Sequence, residues 1–172
     1  MLSKMKKPNQ EGFTIIEVLI VLAIAGLILL IVFLAVPALQ RSARNTERKT
    51  DASAILASVS EYSDNNAGTL PTALKFAAPT LTLCNATGCT GTDAQSQAKL
   101  GYYTGTAAAP TKGDVTIYGA YTAPPAALDA LIIENGATCT SATAAGAGST
   151  RATAVLYGIE ASGGYVWQCT GS

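Results

Sequence analysis

Histidine is absent from this 172-residue chain. Without an imidazole there is no Ser-His-Asp or Cys-His relay and no histidine-ligated zinc, copper or iron. Charge is also sparse: charged residues make up 13%, and 11 Lys and Arg balance 11 Asp and Glu. A formal net charge of zero excludes nucleic-acid binding driven by overall positive charge. Aromatic residues are few, at 6%, while hydrophobic residues reach 49%, so the apolar surplus is aliphatic. That surplus excludes a disordered chain, which combines low hydrophobicity with high net charge. The length suits one ordinary domain with a real core and not two. An enzyme is not expected, nor a cofactor.

The aliphatic surplus has an address. Residues 18–36 carry no charge and no polar side chain, and all but Ala23, Ala25, Gly26 and Ala35 are Leu, Ile, Val or Phe. As a helix the run spans about 28 Å, close to the hydrocarbon thickness of a bilayer. Its branched aliphatic and aromatic side chains favour insertion by roughly 7 kcal/mol, against about 3 kcal/mol for a charged Glu17 at its edge. Apolar all round, it belongs among lipid tails or other apolar helices.

A cleaved secretory signal is the simpler alternative, with Lys4, Lys6 and Lys7 in front and Val36-Pro37-Ala38 behind. The run is longer than the usual h-region of about 7–15 residues. The helical pattern also continues past it. Leu39, Ala43, Thr46, Thr50, Ile55, Val59 and Tyr62 recur on one helix face, and Arg41, Arg44, Glu47, Arg48, Lys49 and Asp51 take other positions. Stop signals come only at Asn65-Asn66-Ala67-Gly68, with Pro71 beyond. One helix of about 50 residues is expected, apolar over 13–37 and amphipathic over 38–66.

In front of the apolar run stands K-M-K-K-P-N-Q-E-G-F-T-I-I-E-V-L-I. It resembles the class III leader of type IV pilins: a short basic leader ending in Gly12, then Phe13, Thr14 and, as the fifth residue after Gly12, Glu17. The resemblance covers residues 1 to about 65. It implies that residues 1–12 are a leader removed between Gly12 and Phe13 by a prepilin peptidase on the cytoplasmic face. It also implies that the same enzyme N-methylates Phe13. Cleavage on that side leaves the helix as a membrane anchor.

The acidic residue has a chemistry of its own. A carboxylate at the edge of an apolar run needs a partner or a proton. The Phe13 amine created by cleavage lies about 6 Å up the same helix, and a neighbouring copy shifted along a filament axis brings its own amine level with Glu17. Such a pair selects one register and contributes specificity more than stability. The alternative is a protonated Glu17 tolerated by the bilayer. Further along, Pro37 leaves the Phe33 carbonyl without its helical donor. Many pilins have a proline three residues earlier, where this chain has Leu34, and Gly26 matches a glycine of their apolar segment. A kink and a wider melting between Gly26 and Pro37 both fit.

Past residue 66 the composition turns to Ala, Thr, Gly and Ser. Strands are expected at 79–84, 115–122, 131–134, 153–160 and 165–169, the last two joined as a hairpin by Ala161-Ser162-Gly163-Gly164. Loops 85–99, 104–113 and 137–151 read as mobile. The expected architecture is α+β and pilin-like: a long N-terminal helix packed on a small antiparallel sheet, with 67–172 as the head.

Cys84, Cys89, Cys139 and Cys169 all lie beyond the apolar run. An even number in one compartment suits disulfides outside the cytoplasm and places the head there. Of three possible pairings, a local clip Cys84–Cys89 with a longer closure Cys139–Cys169 is favoured. The longer closure resembles the disulfide-bounded C-terminal region of many pilin heads. A metal knuckle would need all four thiolates and is not expected. Asn85-Ala86-Thr87 matches a glycosylation sequon by a pattern common in Thr-rich loops. Packing is the expected role of Tyr102, Tyr103 and Trp167, ahead of surface contact.

From residue 52 onward four cations face seven anions, a net of −3, so strong direct nucleic-acid binding is not expected. The basic cluster at 41–49 suits acidic lipid before assembly, or Glu47 and Asp51 of neighbouring copies after it.

The resemblance implies a structural shaft subunit of a type IV pilus, a helical homopolymer extruded by a cytoplasmic assembly ATPase and a membrane platform protein. Before assembly it is a single-pass cytoplasmic-membrane protein with its head outside; afterwards it is part of an extracellular filament serving adhesion, motility or DNA uptake. The alternatives are a pseudopilin of a type II secretion system and a monomeric membrane-anchored binding module.

Overall fold

The computed structural model describes residues 12–86, 89–91, 95–107, 111–119 and 129–171. Helix α1 (Ile15–Asn65) is continuous through Gly26 and Pro37. Its end falls at the expected stop signals. Ala67 and Gly68 have φ of 52° and 82°, and the Gly68 N–H turns back to the Ser63 carbonyl at 2.7 Å. That left-handed reversal satisfies a carbonyl the helix leaves open.

The chain divides into two units, Met1–Gln40 and Arg41–Ser172. The first consists, among its described residues, of the start of α1. Its large apolar side chains are exposed, from Phe13 at 89% down to Val36 at 40%. The helix is long and apolar enough to cross a membrane.

Among its described residues, the second unit holds the rest of α1 and ten strands. Strands β1 (Ala73–Ala77), β2 (Thr80–Cys84) and β3 (Ser96–Lys99) form an antiparallel sheet in that order. A five-stranded sheet follows, built from β4 (Gly105–Thr106), β5 (Asp114–Tyr118), β6 (Leu131–Asn135), β9 (Thr153–Ala161) and β10 (Gly164–Gly171) in the spatial order β10-β9-β6-β5-β4. Strands β7 (Ala137–Ser141) and β8 (Ala144–Ala147) pair as a separate hairpin.

Alternation along the central strands makes two cores. Leu131, Ile133, Val155 and Tyr157 join Ile55, Val59 and Tyr62 of the helix and Leu81 and Leu83 of β2. Ile132, Ala154, Leu156 and Trp167 face the other way, toward Ala137 and Ala145 of the hairpin. Strand β6 is therefore buried at every residue, as an unbroken Leu-Ile-Ile run suggests for a strand covered on both faces. At Gly136, φ of 70° turns the chain from β6 into β7 and over the second face.

The fold is α+β and pilin-like. It departs from the expected small antiparallel sheet in two ways. Strands β4, β5 and β6 run parallel, so the main sheet is mixed. The segments read as mobile loops contain β3, β4, β7 and β8. Their Ala, Gly and Lys residues have little strand propensity, and pairing within the fold overrides it. The end of the strand expected at 115–122 lies outside the described residues.

Candidate functional site

Two groups of side chains carry chemistry, one in each unit. At the start of α1 the Glu17 carboxylate turns back on Thr14. Its Oε2 accepts from the Thr14 N–H at 2.8 Å and from the Thr14 hydroxyl at 2.7 Å, while the Glu17 N–H donates to Thr14 Oγ1 at 3.4 Å. This is a reciprocal capping box, with Thr14 as the N-cap and Glu17 three residues on. The acid at the edge of the apolar run thus has two local donors. Gly12, Phe13 and Thr14 precede the helix in non-helical backbone. Gly12 is open to added atoms, with nothing close to where a Cβ would stand. The T-x-x-E spacing was legible in the sequence, though the local cap was not among the expectations for Glu17.

The second group is buried in the head around Arg48, which is fully inaccessible. Its guanidinium lies 3.0 Å from Asp129 Oδ1, and Nη2 donates to Glu160 Oε1 at 2.9 Å and to the Tyr102 hydroxyl at 2.6 Å. Nη1 donates to Asn45 Oδ1 at 2.8 Å. Two rings stack against the same cation, with Tyr102 4.2 Å and Tyr165 5.1 Å from it. Both tyrosine hydroxyls donate to Asp129 Oδ2, at 2.5 and 3.2 Å. Arg44 adds a bidentate pair to Glu160 at 2.7 and 2.6 Å.

Two side chains in this group act on backbone. Asn45 Nδ2 donates to the Glu160 carbonyl at 3.0 Å, and Asn45 Oδ1 accepts from the Glu160 N–H at 2.8 Å. The amide thereby takes the place of a neighbouring strand at the end of β9. Asp51 accepts from the N–H groups of Gly101, Tyr102 and Tyr103, at 2.8, 2.8 and 3.2 Å. Three consecutive amides are fixed by one carboxylate.

Protonation follows from these contacts. The hydrogen bond from Arg44 outweighs the effect of burial at Glu160, and with Arg48 beside it the carboxyl is held at about 2. Burial pushes the Tyr102 hydroxyl up, helped by its hydrogen bond to Asp129. Tyr165 moves the same way, again chiefly through burial. The tyrosines stay protonated and the carboxylate ionised, which is the state the network needs.

This group corrects the reading of the basic cluster at 41–49. Arg48 and Asp51 lie on the buried face of the helix, spaced with Ile55, Ser58 and Tyr62, and Arg44 is taken by Glu160. Arg41, Glu47 and Lys49 are exposed. The period of three and four is visible in the sequence, but the apolar positions alone do not include Arg48 and Asp51 in the buried face. Their partners, Asp129 and Glu160, are some 80 to 110 positions away in sequence, and no local pattern announces them.

Cys84 bonds Cys89 and Cys139 bonds Cys169. Tyr103 and Trp167 are buried, and Tyr102 belongs to the Arg48 cluster. Asn85 is exposed, and Thr87 of its triplet lies outside the described residues, as do the leader residues before Gly12.

Compared with known families, residues 7–33 match the prokaryotic N-terminal methylation motif. This motif is the class III leader of type IV pilins, and together with the pilin-like fold it supports a type IV pilin-like or pseudopilin protein. No curated protein and no solved structure matches the chain.

Proposed function

We propose that this chain is a structural shaft subunit of a type IV pilus. Residues 1–12 are removed between Gly12 and Phe13 by a prepilin peptidase, which then methylates the new Phe13 amine. The apolar helix first holds the subunit in the cytoplasmic membrane with the head outside. It then leaves lipid for a bundle of identical helices, where close packing replaces lipid contact. A cytoplasmic ATPase and a membrane platform protein drive the extrusion.

The observation that carries this reading is the methylation motif running directly into an apolar helix whose surface is open along its length. Glu17 supports it. The cap on Thr14 keeps the carboxylate from being an isolated charge before assembly. Approach of a neighbour's Phe13 amine then supplies a cation, and only copies in the right register supply it. Before assembly, the exposed Arg41 and Lys49 suit acidic lipid at the membrane surface.

The motif serves pilins and pseudopilins alike, and surface filaments distinguish them. Filaments sheared from cells should contain this chain as their main component. A chain found only in the membrane of cells bearing no such filament would favour the secretion-system reading.

A further inference from the structure

The β7–β8 hairpin covers the second face of the main sheet with very little of its own. Among the described strands, β7 and β8 pair only with each other. A two-stranded hairpin is at best marginally stable in water. The apolar side chains it brings to Ile132, Leu156 and Trp167 are Ala137 and Ala145, and Cys139 beside them. Alanine contributes little burial, because the effect scales with area removed from water. The hairpin is fastened to β10 by the Cys139–Cys169 disulfide and by the Cys169 N–H donating to the Ala142 carbonyl at 2.8 Å in the turn. Both meet at Cys169.

We propose that this hairpin is a flap over the second core face, latched shut by oxidation of Cys139 and Cys169. With the thiols free, the hairpin loses the link that offsets the entropy of holding it down, and it swings away from the sheet. Ile132, Leu156 and Trp167 then face solvent. With the disulfide formed they are hidden. The helix-facing core contains no residue of the flap, so it persists in both states. The head therefore presents a different surface in reducing and oxidising surroundings, a property that goes beyond a structural role in a filament.

The closing chemistry is thiol–disulfide exchange with an external organic disulfide. One cysteine thiolate attacks that disulfide and expels a thiolate. The other attacks the mixed disulfide so formed and expels the second. Two electrons pass from the cysteine pair to the oxidant, and the two thiol protons go to solvent.

Trp167 is the chain's one tryptophan and is 8% exposed, so it reports the flap directly. The test uses the full chain in detergent micelles, with Cys84→Ser and Cys89→Ser leaving one disulfide. Reduction should raise iodide quenching of Trp167 about twofold. It should also speed amide exchange at residues 137–147 at least about tenfold, while 131–135 and 153–161 stay protected. Reoxidation with glutathione disulfide should reverse both changes. If the Ser background fails to fold, the Cys139→Ser, Cys169→Ser pair in the natural background gives the same readout as the reduced form. Unchanged exchange over the hairpin, or loss of protection throughout the head, overturns the proposal.

Discussion

Arg48 and Asp129 meet at 3.0 Å with both side chains shut off from solvent, 0% and 2% exposed. Breaking such a pair costs more than its formation contributes, because the survivor is left charged in a poor solvent. Arg48→Met should therefore destabilise the head by about 3–5 kcal/mol. Combining it with Asp129→Leu should recover a large part of that loss. Denaturant unfolding of the detergent-solubilised chain measures both. A loss under 1 kcal/mol for the single variant would contradict the role given to the cluster.

Arg48→Lys tests geometry at constant charge. The guanidinium donates three hydrogen bonds, lies 3.0 Å from Asp129 and has two aromatic rings against it. An ammonium offers neither the fork nor the stacking face. The variant should fall well short of wild-type stability, by about 2 kcal/mol. Equal midpoints would show that charge alone suffices.

Stability should also depend on acid in a defined window. The Glu160 carboxyl is held at about 2, against 4.5 for an unperturbed group. A depressed carboxyl stabilises the fold fully above its unfolded value, and that contribution fades as pH falls toward the folded value. The head should thus weaken between about pH 4.5 and 2. Glu160→Gln should flatten that part of the profile while lowering stability at neutral pH. Unfolding midpoints followed by circular dichroism across the range provide the check.

Asp51 ties three successive amides of the 101–103 turn to the helix. Asp51→Ala leaves those donors without their acceptor, at a cost of about 1–3 kcal/mol. Amide exchange at residues 101–103 should rise selectively. Exchange that rises equally everywhere would point to a global effect instead.

Glu17→Ala should leave leader removal and membrane insertion intact and suppress incorporation into filaments. Immunoblots of membrane and sheared fractions separate these steps. Filament yield at the wild-type level would remove Glu17 from the assembly mechanism.

The sequence made some features plain and concealed others for physical reasons. The helix was legible because its stop at Asn65 depends on local backbone chemistry at Ala67 and Gly68. The β9–β10 hairpin was legible because Ser162-Gly163 is a turn flanked by strand-forming residues. Strands β3, β7 and β8 were not, since their small residues acquire a pairing partner only in the folded head. Parallel pairing of β5 with β6 was not legible either, since strand direction is set by how the two strands meet in the folded sheet and not by the residues of either one. Arg48 was misplaced because a buried guanidinium is stabilised by residues remote in sequence, Asp129 and Glu160. Thr14 was missed as a cap although its spacing to Glu17 is the usual one.

The central claim is that the chain becomes a filament subunit by cleavage at Gly12. Intact mass of the chain recovered from sheared surface material tests it most directly. The expected result is a chain that begins at Phe13 with a single added methyl group on its amine. A chain that still begins at Met1, or one that begins near Leu39, contradicts it.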